Sequence, residues 1–216
     1  MHNVFQQTEG EELTLCGNQL VSRVIERLLP KAHHSIRSRF MEKLGDDLRI
    51  TSTDPFASHI LQKLMVLAAF GADADAEFDG FAKTWVGKVS RFAVANFETF
   101  VYDPYASHIL RTGLQCLAGR RLSEDILRSK RSRGQMASGD KDDLDLKDFE
   151  PSEENLTSLS NMCAKVKEAE SKPDLVRSDT SVGVLMALIL VLKTAAPKEQ
   201  KALVKDLVET VGGQIQ

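Results

Sequence analysis

Only 6% of the 216 residues are aromatic, and the chain holds 3 cysteines, 6 prolines and 13 glycines. Cys16, Cys116 and Cys163 are odd in number and lack C-x-x-C spacing, which argues against a disulfide framework or a thiolate metal site. They are expected as small core residues of a reduced, intracellular protein. With so few turn residues and no evenly spaced alternating runs, a sandwich or barrel is excluded in favour of an all-α chain. The most apolar run, Val182 to Leu192, falls short of the roughly 20 residues that cross a bilayer. Met1 to Glu12 is too polar for a secretory signal. A net charge of −3 carries no excess of one sign that would name a partner. No membrane, cofactor, metal or small-molecule substrate is expected.

What the chain does have is a phrase written twice. Asp54-Pro55-Phe56-Ala57-Ser58-His59-Ile60-Leu61 returns as Asp103-Pro104-Tyr105-Ala106-Ser107-His108-Ile109-Leu110. A looser copy, Leu20-Val21-Ser22-Arg23-Val24-Ile25-Glu26, lies upstream, with Ser58 following Ser22 by 36 residues. Recurrence at such an interval means stacked repeats. Apolar residues at helical spacing surround each copy: Val21, Val24, Ile25, Leu28 and Leu29, closed by Pro30; then Ile36, Phe40, Leu44 and Leu48, running to Ile50. Thr53 or Asp54 suits a helix N-cap, with Pro55 in the first turn. Between Phe70 and Gly80 an acidic connector lengthens the next step. A long helical pattern then runs from Trp85 to Phe100.

After Gly119 the character changes. Arg120, Arg121, Arg128, Lys130, Arg131 and Arg133 form a basic run, and residues 140–154 are dominated by Asp and Glu. A segment so poor in apolar side chains cannot offset the entropy of ordering, so it is expected to be disordered. The expected division is an N-terminal tail over 1–14, three repeats over 15–128, a disordered basic and acidic insertion over 129–155, and a degenerate fourth repeat over 156–216. The fourth copy is placed at Asp179 to Ala187, with Gly183, Val184 and Ala187 in the positions of Ser58, His59 and Gln62.

Within each good copy one polar geometry recurs. Ser58 and Gln62 are four residues apart and share a helix face, with His59 about 100° round from Ser58. Ser22, Arg23 and Glu26 repeat this pattern, as do Ser107, His108 and Arg111. A hydroxyl and a hydrogen-bonding side chain one turn apart suit the edge of a flat heterocycle, and the planar or cationic group beside them suits its face. Stacked repeats turn three such triplets into a ladder with one base per rung, the way helical repeats read single-stranded RNA.

These units resemble Pumilio (PUF) repeats, and within that superfamily its nucleolar, pre-ribosomal branch with degenerate repeats. The likeness rests on the doubled Asp-Pro-aromatic-Ala-Ser-His-Ile-Leu phrase, on Phe97 to Arg111, and on Leu117-Ala118-Gly119, and covers roughly residues 15–120. The resemblance implies a curved α-solenoid that binds single-stranded pre-ribosomal RNA on its concave face, works with pre-ribosomal particles in small-subunit rRNA maturation, and is not an enzyme. It implies that Ser22 and Glu26 select guanine, Ser58 and Gln62 adenine, and Ser107 and Arg111 cytosine, with Arg23, His59 and His108 stacking. Bound antiparallel to repeat order, the RNA would read 5′-C-A-G-3′. Family members carry more repeats than this, so the chain is expected to be an N-terminal portion or a shortened product.

Arg120, Arg121, Arg128 and Lys130 are the expected phosphate contacts, since cationic side chains carry the salt-dependent part of RNA affinity. The acidic run would then be solvated or, more sharply, a mimic of RNA that screens the basic face. His33-His34 reads as a solvated pair at a turn. Adjacent Ser and His cannot act as nucleophile and base, because helix neighbours diverge by about 100°. The competing reading is a HEAT- or armadillo-like scaffold that binds protein without base recognition. Such a scaffold does not require the same polar triplet in successive repeats.

Overall fold

The doubled phrase folds twice into the same helix start. Asp54 Oδ1 accepts from the backbone N–H groups of Phe56 (2.8 Å) and Ala57 (2.7 Å), and Asp103 Oδ1 accepts from Tyr105 (2.8 Å) and Ala106 (2.7 Å). Each bond satisfies N–H groups that a helix N-terminus leaves unpaired. Asn18 stands four residues before Ser22, as Asp54 does before Ser58, and its Oδ1 takes the N–H groups of Leu20 and Val21. The third copy was thus faint in sequence but keeps the same cap.

The computed structural model describes residue 5, residues 9–122 and residues 145–212. In chain order its helices are α1 (Glu12–Cys16), α2 (Gln19–Leu28), α3 (His34–Asp46), α4 (Leu48–Thr53), α5 (Ala57–Phe70), α6 (Ala76–Ala95) and α7 (Phe97–Phe100). There follow α8 (Ala106–Ala118), α9 (Glu153–Glu168), α10 (Lys172–Leu175), α11 (Asp179–Ala195) and α12 (Pro197–Gly212). No strand occurs among the described residues. Helices α2, α5, α8 and α11 lie side by side in one layer, each against the next, and α3, α6, α9 and α12 do the same in the other. The protein is an all-α solenoid of two-helix repeats.

Between the layers runs one apolar core, from Cys16 through Phe40, Leu61, Met65, Val89, Phe100, Leu110 and Leu188 to Leu207. Trp85 locks the two outer helices, donating its indole N–H to the Met41 carbonyl at 2.7 Å. Burial pushes the thiols of Cys16, Cys116 and Cys163 up to about 12, as expected of core cysteines. Gly113 lets α8 cross α6 closely, since a Cβ there would stand 3.3 Å from the Ser90 Cα.

Three expectations change. The stripe from Ile36 to Ile50 is two helices, broken at Asp47, whose side chain accepts from Ile50 N–H and starts α4 anew. His33 is exposed, as expected, and is the N-cap of α3, whereas His34 is half-buried and faces Asp75 at 3.5 Å, so it ties α3 to the acidic connector. Of the insertion expected to be disordered over 129–155, residues 129–144 lie outside the described residues, whereas 145–152 run as an ordered strap and Glu153 begins α9. Leu146 and Phe149 pack on the core, Lys147 N–H donates to the Phe70 carbonyl, and Phe149 N–H donates to the Gly119 carbonyl. Two apolar side chains and these backbone bonds suffice to hold a segment whose overall composition is acidic.

Candidate nucleic-acid interface

The three sequence triplets fall on α2, α5 and α8, successive helices of one layer, and so face the same way. Their members differ sharply in access. Ser22, Ser58 and Ser107 are buried, at 4%, 4% and 2% exposure. Ser22 Oγ donates back to the Gln19 carbonyl and Ser107 Oγ to the Pro104 carbonyl, each three residues upstream. The serines are therefore small residues beneath the surface, and the hydroxyls of Ser22 and Ser107 are engaged by carbonyls at the start of their own helices. Arg23, His59 and His108 are exposed, while Glu26, Gln62 and Arg111 are half-buried.

In the fourth repeat Ser181 is fully buried, and its Oγ donates to the Leu175 carbonyl at 2.7 Å and the Ser178 carbonyl at 3.0 Å. Counted from this buried serine the rung would be Ser181, Val182 and Leu185; counted as the sequence suggests it is Gly183, Val184 and Ala187. Val184 and Ala187 are fully buried in the core. In either register the fourth rung offers no polar pair.

Rungs two and three interlock. Gln62 Nε2 donates to the Thr112 hydroxyl at 3.0 Å, from repeat two to repeat three. Arg111 shares a hydrogen bond with His108 Nδ1 on its own helix and reaches Gly183 of α11. Burial of part of the ring, then the Arg111 charge, then His59, lowers the His108 pKa to about 4. Burial also lowers that of Arg111. His108 is thus neutral near pH 7, with its Nδ1 accepting from Arg111. The face combines flat rings with cations, suited to stacking on bases and pairing with phosphates. Thr112 escaped the sequence reading; the signal was a small polar side chain directly after Arg111, on the buried side of a mostly apolar helix.

The basic run divides. Arg128 and Lys130, with Arg131 and Arg133, lie outside the described residues. Arg120 donates to the carbonyls of Phe149 (2.6 Å) and Gly119 (3.1 Å) and pairs with Glu150; Arg121 pairs with Asp148 at 3.6 Å. Both arginines sit at the end of α8, under the strap, and Arg120 is foremost a clamp. Among the described residues no group of His, Cys, Asp or Glu is arranged to hold a metal, and no helix is long and apolar enough to cross a membrane.

Comparison with known proteins gives the same family as the repeat phrase. The chain is similar to Nucleolar protein 9 of Candida albicans (strain WO-1), 25% identical over 160 residues, which cover 62% of this chain and 22% of that protein. It is similar to Nucleolar protein 9 of Yarrowia lipolytica, 28% identical over 145 residues, covering 60% and 20%. The chain therefore spans about a fifth of the length of these curated relatives, whose name places the family in the nucleolus. The family profile described as the NOP9-like PUF repeat domain matches residues 10–212. With that match running through every helix from α1 to α12, the chain belongs to the NOP9-like PUF repeat family.

Proposed function

We propose that this chain is a nucleolar single-stranded RNA-binding protein of ribosome biogenesis, holding pre-ribosomal RNA on the concave face lined by α2, α5 and α8 during small-subunit rRNA maturation. The observation that carries this reading is the register shared by His59 with Gln62 and His108 with Arg111, one repeat apart on adjacent helices. Bases stack on Arg23, His59 and His108, and the ends of Glu26, Gln62 and Arg111 meet their edges. The buried serines keep the reading helices close together. Stacking contributes about 1–3 kcal/mol per base, so three rungs supply roughly 3–9 kcal/mol before ordering costs. Arg128 and Lys130 add phosphate contacts.

Fluorescence-polarisation binding of a short single-stranded RNA library, at two salt concentrations, tests this. Specific binding that falls at least tenfold in H59A/H108A supports the reading, by the same stacking magnitude. Binding that ignores the double substitution and vanishes with salt would leave only a basic patch. Absence of binding would favour the protein-scaffold reading.

A further inference from the structure

We propose that Thr112 is a positioning residue for base recognition by the preceding repeat, fixing the Gln62 amide so that rung two discriminates among bases; this rests on the RNA-binding reading above. Thr112 lies on α8 directly after Arg111 and is 2% exposed, yet Gln62 of α5, 50 residues earlier, donates Nε2–H to its Oγ1 at 3.0 Å. Valine would fill the same space without burying a hydroxyl, and a buried hydroxyl is costly unless it is bonded. Gln62 is the partner that bonds it.

The consequence lies in what Gln62 has left to offer. A carboxamide carries one acceptor oxygen and two N–H donors. With one N–H held by Thr112, the remaining pair is Oε1 beside the second N–H. That pair complements adenine, whose N6–H donates and whose N1 accepts. An amide free to turn over presents the reverse order, which complements the O4 and N3–H of uracil. The bond holds the amide plane in place, and in the orientation observed, with Nε2 toward Thr112, its free edge is the one that complements adenine rather than uracil. Arg111 leans the same way, onto α11 near Gly183, so Gln62 and Arg111 each rest on the repeat that follows.

The test uses the whole chain and fluorescein-labelled, uridine-flanked 5′-CAG-3′ RNA, with each of its three bases replaced in turn by the others. Wild type is expected to prefer adenine at the centre. T112V should lose about threefold to tenfold of that preference, the worth of one net hydrogen bond, while preferences at the outer bases persist. T112S, which keeps the hydroxyl, should retain the central preference. Circular-dichroism melting confirms that both variants are folded.

T112V that keeps the wild-type central preference overturns the inference. So does an equal loss at all three bases, the mark of a purely structural role. Wild type that binds RNA without central selectivity overturns this inference alone, whereas wild type that binds none of these RNAs overturns the RNA-binding reading beneath it.

Discussion

Arg111 rests against Gly183: a Cβ built on that glycine would stand 3.4 Å from the guanidinium, an ordinary contact distance. Gly183 lies inside α11, in a helical backbone conformation that any residue adopts. Gly183→Ala should therefore stabilise the protein by about 0.5–1 kcal/mol, the entropy that glycine costs in a helix interior. A urea-unfolding midpoint that rises with an unchanged slope checks this. A fall would mean that Arg111 cannot shift by even a few tenths of an ångström.

His108 sets a pH dependence with a definite sign. Its folded-state pKa, about 4, lies below the ordinary 6.5. Between those values the unfolded chain binds a proton that the folded chain refuses. This residue therefore makes the fold less stable as pH falls from 6.5 toward 4, and has no effect above that window. His108→Gln should flatten that part of the stability profile. Urea midpoints of both proteins at intervals from pH 7 to pH 4 measure it, and parallel profiles would count against a depressed pKa.

We propose that Arg120, which bonds the strap, serves it rather than phosphate. Arg120→Ala removes donors to two carbonyls and a partner of Glu150. Limited proteolysis should cut faster within residues 145–152, and stability should fall by about 1–3 kcal/mol for the lost charge-assisted bonds. The salt dependence of RNA binding should stay as in wild type. A salt slope lowered by about one unit would instead return Arg120 to the phosphate contacts.

Much of this architecture was legible because local chemistry repeats. Asp54 and Asp103 cap their helices identically, and apolar spacing alone located the two-helix units. What stayed hidden depends on partners distant in sequence. Leu146 and Phe149 disappear in an acidic stretch unless Phe70 and Gly119 are known to lie opposite them. The depth of Ser22, Ser58 and Ser107 follows from how closely neighbouring helices approach, which a helical period does not encode. In the fourth repeat the sequence offers two small residues, Ser181 and Gly183, and only the structure shows that Ser181 is fully buried while Gly183 lies against Arg111. The Gln62–Thr112 bond joins residues 50 apart and has no local signature.

Gly119 closes α8 in the left-handed conformation at φ +63°, and a Cβ there would stand 2.0 Å from the Phe149 carbonyl oxygen. Phe149 N–H donates to the Gly119 carbonyl, and Arg120 reaches back to the Phe149 carbonyl. Residues 119–120 and 149 therefore stand together like the two feet of an arch. These contacts fix the distance between the two feet by themselves, and adding residues to a connection costs only about 0.6 kcal/mol per doubling of its length. Insertions or deletions between residues 122 and 145 leave these bonds and the Leu146 and Phe149 contacts in place, so the pitch from the third repeat to the fourth should be unaltered. The chain can thus carry new sequence at that point without retuning the ladder.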